Sequence, residues 1–483
     1  MSSRRLLSGN DTITVRHKTA ARSADRRERQ WTRRNALRVA SGGAAVATAA
    51  GAAACGPFGG AGGDVPSQSL RSEVTVSFLQ TSGQVEQDLV NQVVERWRQE
   101  HPRGPQAEFV IATGGVVEKF TTMLAAGTPP ALVSMSASQG VVFIERGEFA
   151  PLDELLKRDK YDLNDYIPVS LEQYRWKGKL YALLRDFSHQ NLWVNLDLFT
   201  RDGLTPPAGD YRGTGGGWDF NQFVETTRQL TKWEGGSASR AAQYGFVVNT
   251  GLRGGYGQFI WANGGELFDK DYRRCTVDDE RVIEALQLMQ DLRYRYRVAP
   301  DGAALQELRQ AGVGTGSQQL FFEGLAAVAI FPVARIGEAR RQAKGAWDLA
   351  VTPHGKGKRL TTGGGVGWYQ VGSVPHQEEA WAVLKHLTSP ETHRFLADVR
   401  IPGRKSALDG WLAEAPGEPP KSRSVARTGQ EAVHLNPIFP QWERIEDEVF
   451  TPQLAPLWEN KATARDVARE ITAQANRILA EQQ

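Results

Sequence analysis

Polar and apolar residues alternate over Glu73–Leu79, EVTVSFL, the period of a half-buried strand. From Val85 to Glu100 the spacing changes. Leu89, Val93, Val94 and Trp97 recur at helical intervals, which predicts an amphipathic helix. Gly104–Ile111 predicts the next strand, Val116–Ala126 a helix stopped by Gly127-Thr128-Pro129-Pro130, and Ala131–Met135 a third strand. This strand–helix–strand–helix–strand order predicts a mostly parallel α/β layer. Ligands of such sheets sit beyond the carboxyl ends of the strands. Two polar turns fall there, Gln80–Gln84 and Ser136–Gln139, so Gln80, Ser82, Ser136 and Ser138 are candidate ligand contacts.

The stretch Trp176–Pro207 is organised differently. Leu180–Leu184 and Asn191–Asn195 predict two short strands with Arg185 and Asp186 between them. Such a pair can carry a chain from one compact lobe to another. Beyond it, Trp218–Phe223 begins a helix with Asp219 as candidate cap, Gly245–Val248 is a strand and Val282–Tyr296 an amphipathic helix. Leu325–Phe331 is a buried strand, and His376–Arg394 a helix interrupted at Ser389-Pro390. Gly410–Gln430, rich in Pro, Ser and charge, reads as a surface loop. The C-terminal Arg465–Gln482 is one helix, with Val467, Ile471, Ala475, Ile478 and Leu479 on one face.

Several of these stretches together resemble one family, the bacterial extracellular solute-binding proteins of the carbohydrate-transporter type. In the crossing stretch Gly178, Lys179, Tyr181, Ala182, Asn195, Leu198, Phe199, Gly203, Leu204, Pro206 and Pro207 match its pattern, while Leu184 replaces a usual Pro and Asp197 a usual Lys. Met123–Pro130 resembles its "L-x-x-G-x-x-P-D", with Ala131 in place of the Asp. Gly147–Asp153, Gly254–Asp269, Phe321–Val328, Val351–Val371 and Ile401–Ala407 resemble further segments, in chain order. Pro332-Val333 stands where many members have Gly-x-Trp, so one sugar-stacking Trp is absent. The resemblance covers about residues 73–480. It implies an α/β, two-lobe periplasmic-binding-protein-like fold with three interlobe crossings. Lobe 1 is expected at 71–185 and 366–405, lobe 2 at 190–362 and 408–483. It also implies a carbohydrate ligand, hinge closure, permease subunits of an ATP-driven importer as partners, and a monomer.

The length, 483 residues, independently favours two domains. The net charge of +3 is a property of the N-terminus. Residues 1–54 carry eleven Lys/Arg and three Asp/Glu, and the remainder is net −5. A mildly acidic body gives no reason to expect nucleic acid binding. Thr32–Arg38, with Arg33 and Arg34, resembles a twin-arginine export signal, so residues 1–54 are read as a signal and not as structure. Ala52–Gly56 resembles a lipobox, with Ala52 in place of the usual Leu. Cys55 is then the expected lipid-bearing residue of a flexible tether, 55–71. Simple cleavage at an A-x-A site is the alternative. The expected location is the outer face of the cytoplasmic membrane. With Cys55 lipidated, Cys275 has no disulfide partner and reads as a buried, inert thiol.

The chain shows no G-x-S-x-G elbow and no H-E-x-x-H. Gly312–Gly316 has no following Gly-Lys-Ser/Thr and reads as a loop before a helix. His386 and His393, seven apart, read as solvated helix positions. No cofactor and no metal is expected. The 13 Trp point elsewhere. Sugar rings offer an apolar face to Trp and Tyr, and hydroxyls to carboxylates, amides, Arg and backbone groups. Trp193, Trp218, Tyr256, Trp261 and Trp368 lie at or near the interlobe segments; each alone also fits a core position. With Asp186, Gly364, Gly365 and Arg404 they make a candidate cleft. The reading is a solute-binding protein and not an enzyme. A carbohydrate-active enzyme with distant carboxylates and a sensory co-receptor remain the alternatives.

Overall fold

The computed structural model describes residues 70–213, 216–233, 241–413 and 417–481. The expected signal with Arg33 and Arg34, and Cys55, lie outside the described residues. Strands β1 (Thr75–Gln80), β2 (Gln106–Ile111) and β3 (Leu132–Ser136) are parallel, in the order β2-β1-β3. Helices Gln84–Glu100 and Val116–Ala125 make the crossovers, burying Val90, Val93 and Trp97 from one and Val116 and Phe120 from the other. A small hairpin, β4 (Arg175–Trp176) and β5 (Lys179–Leu180), turns through Lys177 and Gly178, both at positive φ.

Strand β6 (Ala182–Asn195) changes the expected picture. It is one continuous strand of 14 residues, about 45 Å long at ~3.3 Å per residue, where the sequence suggested two short ones. The polar middle stays in the sheet because other strands supply its partners. β11 (Thr361–Gln370) pairs antiparallel with Ala182–His189. β9 (Ala326–Pro332) pairs with Gln190–Val194, and β10 (Trp347–Ala350) with Leu192–Asn195. β8 (Ala241–Val247) lies parallel to β9, and β7 (Lys232–Trp233) forms the edge. β11 also pairs with β3 through residues 366–370 and with the short β12 (Val433–Leu435) through 361–363. One sheet therefore runs through both lobes.

Each lobe has its own core. One joins Phe78, Phe120, Phe149, Trp368, Tyr369 and Trp381; the other joins Phe223, Phe246, Phe259, Met289, Trp442, Phe450 and Ile471. A third cluster, with Trp193, Phe331, Trp347, Ala397, Ile401, Leu408 and Val425, sits along the second half of β6. Two readings of the sequence change here. Gly410–Gln430 is not simply a surface loop: helix Lys405–Ala413 reaches into it and helix Arg423–Gly429 buries Val425 and Ala426. Ser136–Gln139 is not a loop but a helix start, with Ser136 and Gln139 forming a capping box on Ala137–Glu145. Asp219 caps helix Phe220–Leu230 as its spacing predicts. Cys275 is buried, and burial pushes its thiol up to about 11.

The third crossing, Ile401–Arg404, lies against β6. Phe187 N–H donates to the Ile401 carbonyl (3.1 Å), and Gln430 Nε2 donates to the carbonyls of Phe187 (2.8 Å) and Pro402 (3.3 Å). His393, 3% exposed, is not the solvated residue the sequence suggested. Gly403 N–H donates to its Nδ1 (3.1 Å), so Nε2 carries the proton and donates to the Leu184 carbonyl (3.0 Å). A single neutral imidazole thus ties the first crossing to the third. Burial, with Arg404 nearby, depresses its pKa to about 3. The unfolded chain takes up this proton near the ordinary value, so stability present above about pH 6.5 is lost progressively as pH falls toward 3. His393→Ala should cost roughly 2–3 kcal/mol by leaving two buried backbone groups unpaired. Urea unfolding at neutral and at mildly acidic pH should show this loss together with a flatter acid limb in the variant. An unchanged acid limb would remove His393 from the account.

Candidate functional site

β11 crosses between the lobes as Gly363-Gly364-Gly365, and its glycines are forced by their neighbours. A Cβ on Gly363 would stand 2.7 Å from the Ser188 carbonyl, and one on Gly365 2.3 Å from that of Asp186. Above Gly364 the obstacle is Arg253, whose Nη2 would be 2.7 Å away. Beside this run lies a cavity of about 10 Å³. Its walls come from the helix after β3 (Ala137, Ser138), from Gln173, from Arg253, from Leu435 at the end of β12, and from Asn436 and Ile438 beyond it. Both lobes and a crossing strand therefore contribute to one small space. A sugar-sized ligand needs a few hundred Å³, so admitting one requires the walls to move apart.

Of the expected contacts, Ser138 and Gly364 line this cavity, and Gly365 adjoins it through a bond from its N–H to Gln173 Oε1 (3.1 Å). Ser136 lies one residue away and bonds Ser138 (Oγ to Oγ, 3.1 Å). The others sit elsewhere. Trp193 is fully buried, stacked on Phe331 at 4.2 Å, with its Nε1–H on the Phe331 carbonyl. Trp368 is 1% exposed, edge-on to Phe78 in the core of the first lobe. Trp261 is buried and stacks on His434 at 4.1 Å. Tyr256 is buried against Phe450. Arg404 is held by Asp165, Tyr161 and the Thr388 carbonyl, with its guanidinium over the Tyr166 ring. Gln80 is buried, bonded to Ser82 and to Arg400 Nη2 (2.8 Å).

Asp186 occupies an irregular point in the β6–β11 pairing. Val366 opposes Asp186 while Gly367 opposes Leu184, so Arg185 is an extra residue on β6. Bulges of this kind re-aim side chains. Here Arg185 Nε donates to Asp186 Oδ2 (2.8 Å), and Val366 N–H donates to Oδ1 (3.4 Å). Both oxygens hold the bulge together.

Sequence reading missed Arg253, Gln173, Asn436 and Ile438. Arg253 had a usable signal. It precedes Gly254-Gly255, of which Gly254 has φ +69, and the backbone breaks there before helix Gly257–Ala262. Gln173 and Ile438 carry no pattern of their own, and only the fold brings them together.

The match to known proteins agrees with this architecture. The family model described as bacterial extracellular solute-binding protein matches residues 82–393. The chain belongs to that family. A protein of Brucella abortus (strain 2308), named for binding alone, is 24% identical over 384 residues, covering 77% of this chain and 84% of the relative. The fold resembles an ABC substrate-binding protein from Listeria monocytogenes solved in complex with cycloalternan. The TM-score is 0.71 at 18% identity, over 84% of this chain and 99% of that one. It also resembles UgpB from Mycobacterium tuberculosis solved in complex with glycerophosphocholine, with TM-score 0.69 at 19% identity over 84% and 99%. The fold of this solute-binding protein is the two-lobe fold of periplasmic binding proteins.

The chain makes a single π-helical turn at Glu446–Phe450, a form found mostly within α-helices and often at functional sites, and Glu446 acts electrostatically on Arg253. Burial, and then the negative charges of Glu443 and Asp447, push the Glu446 carboxyl up to about 7. The folded protein therefore holds this proton where the unfolded chain has released it. Stability falls as pH rises from about 4.5 to about 7 and is level beyond. Glu446→Gln should remove that slope and raise stability above neutral pH by about 1–2 kcal/mol, a figure reduced for partial exposure. Melting curves across this range test it, and an identical pH slope in the variant would refute it.

Proposed function

We propose that this solute-binding protein captures a carbohydrate outside the cytoplasm and delivers it to the permease of an ATP-driven importer. The observation that carries the reading is the cavity whose walls come from both lobes and from β11. A ligand touching both sides gains contacts in the closed form alone, and so drives closure. The sugar bound by the Listeria monocytogenes neighbour supports the ligand class. The family and its neighbours are binding proteins rather than enzymes, and the reading extends that to this chain: it returns its ligand unchanged.

The lobes are proposed as 71–185 with 366–405, and 190–362 with 408–483, in keeping with the two large cores. The chain acts as a monomer, tethered by a lipid on Cys55 after twin-arginine export. Among the described residues no helix is long and apolar enough to cross a membrane.

The deciding experiment is calorimetric titration with neutral oligosaccharides, anionic sugars and polyols, with small-angle scattering on the free and saturated protein. At least one compound should bind and reduce the radius of gyration, and it should be recovered intact. Binding with an unchanged radius removes the hinge, release of shorter sugars favours the enzyme, and no binding across the set refutes the ligand class. Mass spectrometry of the membrane fraction should find a diacylated N-terminal Cys55. A soluble, unlipidated chain starting at or near that residue would refute the anchor.

A further inference from the structure

Arg253 is the one charged side chain on the described cavity wall. Its guanidinium rests against β11, over Gly364. Among the described residues it has no ion-pair partner and no side-chain hydrogen bond; its backbone carbonyl alone is engaged, by Asn249. An Arg held in a confined space ordinarily has a carboxylate, because an uncompensated charge there is costly.

Among the described residues none of the neighbouring acids pairs with Arg253. Asp186 is taken by Arg185 and by the Val366 N–H. Glu446 lies beside Tyr256 with its carboxyl pushed up to about 7, so that it is only partly ionised at neutral pH, and Glu443 also acts electrostatically on Arg253. The unmatched groups in the same region are mostly donors. Tyr174, 1% exposed, has a hydroxyl with no partner among the described residues, and it is electrostatically coupled to Arg253, Asp186 and Arg185. Among the same residues Arg185 Nη1 is also buried without a partner.

On the cavity wall contributed by the first lobe, Ala137 and Ser138 open the nine-residue helix Ala137–Glu145. The Ser136 side chain satisfies the Gln139 N–H, and the Gln139 side chain satisfies that of Ser136. The first amides of the helix proper have no acceptor within it and carry its positive end. A neutral hydroxyl would answer these donors singly and leave the guanidinium charge unbalanced. An oxyanion answers several at once and neutralises it, in the forked geometry that Arg prefers.

We infer that the ligand carries an oxyanion, a phosphate or a carboxylate on a sugar or polyol, seated between Arg253 and the amide end of helix Ala137–Glu145. Gly364 belongs to this site, since any Cβ there would push the guanidinium away. The inference rests on the proposed role of the cleft as a sugar-binding site.

The test uses matched probes in calorimetry: glucose against glucose phosphate, glycerol against glycerol phosphate, galactose against galacturonate, and inorganic phosphate alone. The anionic member of at least one pair should bind tenfold or more tightly than its neutral partner, and added salt should weaken it. Preference for the phosphates or for galacturonate identifies which oxyanion is recognised. Arg253→Gln should abolish the preference, while Arg253→Lys, which keeps the charge but not the fork, should retain part of it. Gly364→Ala should weaken anion binding with little change in melting temperature. Neutral sugars binding as well as their anionic partners would overturn the inference and leave the sugar-binding role standing. So would an Arg253→Gln protein that melts normally and keeps the preference. No binding by any probe would overturn both.

Discussion

A strand that belongs to two cores must bring its polar middle with it. β6 is apolar where it enters the first lobe, at Ala182–Leu184, and again in the second, at Leu192–Val194. Between these runs lie Arg185, Asp186, Ser188, His189, Gln190 and Asn191, and the last three are nearly inaccessible to solvent. Unpaired polar groups in such a place are costly. Much of the surrounding architecture can be understood as the supply of partners. The bulge turns Arg185 onto Asp186, Tyr211 donates its hydroxyl to Asn191 Oδ1, and Thr361 donates to the Gln190 carbonyl. Gln430 and the third crossing complete Phe187. The supply is incomplete. Among the described residues Ser188 Oγ, His189 Nδ1 and Gln190 Oε1 are buried without partners, and the deficit lies in the segment between the two cores. Orphaned groups there lower the cost of rearrangement, because an opening that admits water satisfies them.

The same geometry limits how the lobes can move. The crossings are not three independent straps. His393 ties Leu184 to Gly403, Gln430 ties Phe187 to Pro402, and Arg400, just before the third crossing, reaches Gln80 at the end of β1 and Glu86 in the first turn of the helix that follows. These bonds fasten the crossings to one another and to the first lobe, so bending is expected at positions 188–191, where pairing passes from β11 to β9. Polar residues in this part of the strand serve a hinge better than tightly interlocked aromatics, which lose much of their contact when displaced slightly.

Periodicity made the layers legible. The helices after β1 and β2 and the C-terminal helix were readable because each has one face in a core and one in water, and β3 and β9 because they are short, mostly apolar runs buried on both faces. β6 was not readable as one strand. Its middle has the composition of a turn, and extended pairing there depends on three glycines almost two hundred positions away. The aromatic residues misled for a related reason. Trp193 and Trp368 sit on interlobe strands, as expected, but alternation along a strand aims a side chain to one face or the other, and both face a core. Ser138 and Gly364 were legible from strand-end polarity and from the glycine run. Arg253 is remote from both and was marked only by the Gly254-Gly255 pair that follows it, and the helix around Val425 was hidden by its charged and proline-rich neighbours.

The glycine run resolves a conflict between the strand and the site. A β11 with side chains at positions 363–365 would collide with the carbonyls of β6 on one side and with Arg253 on the other. Glycine normally weakens a strand, yet β11 stays paired on both edges, to β3 and β12 on one and to β6 on the other. The pairing offsets that loss and holds the bare backbone in place as a floor. Arg253 can therefore rest on main chain rather than on another side chain. Its position is set by the Gly254-Gly255 break in its own segment and by the absence of a Cβ beneath it. Neither constraint requires a counter-charge from the protein, and that is the physical reason the cleft can keep a cation for its ligand.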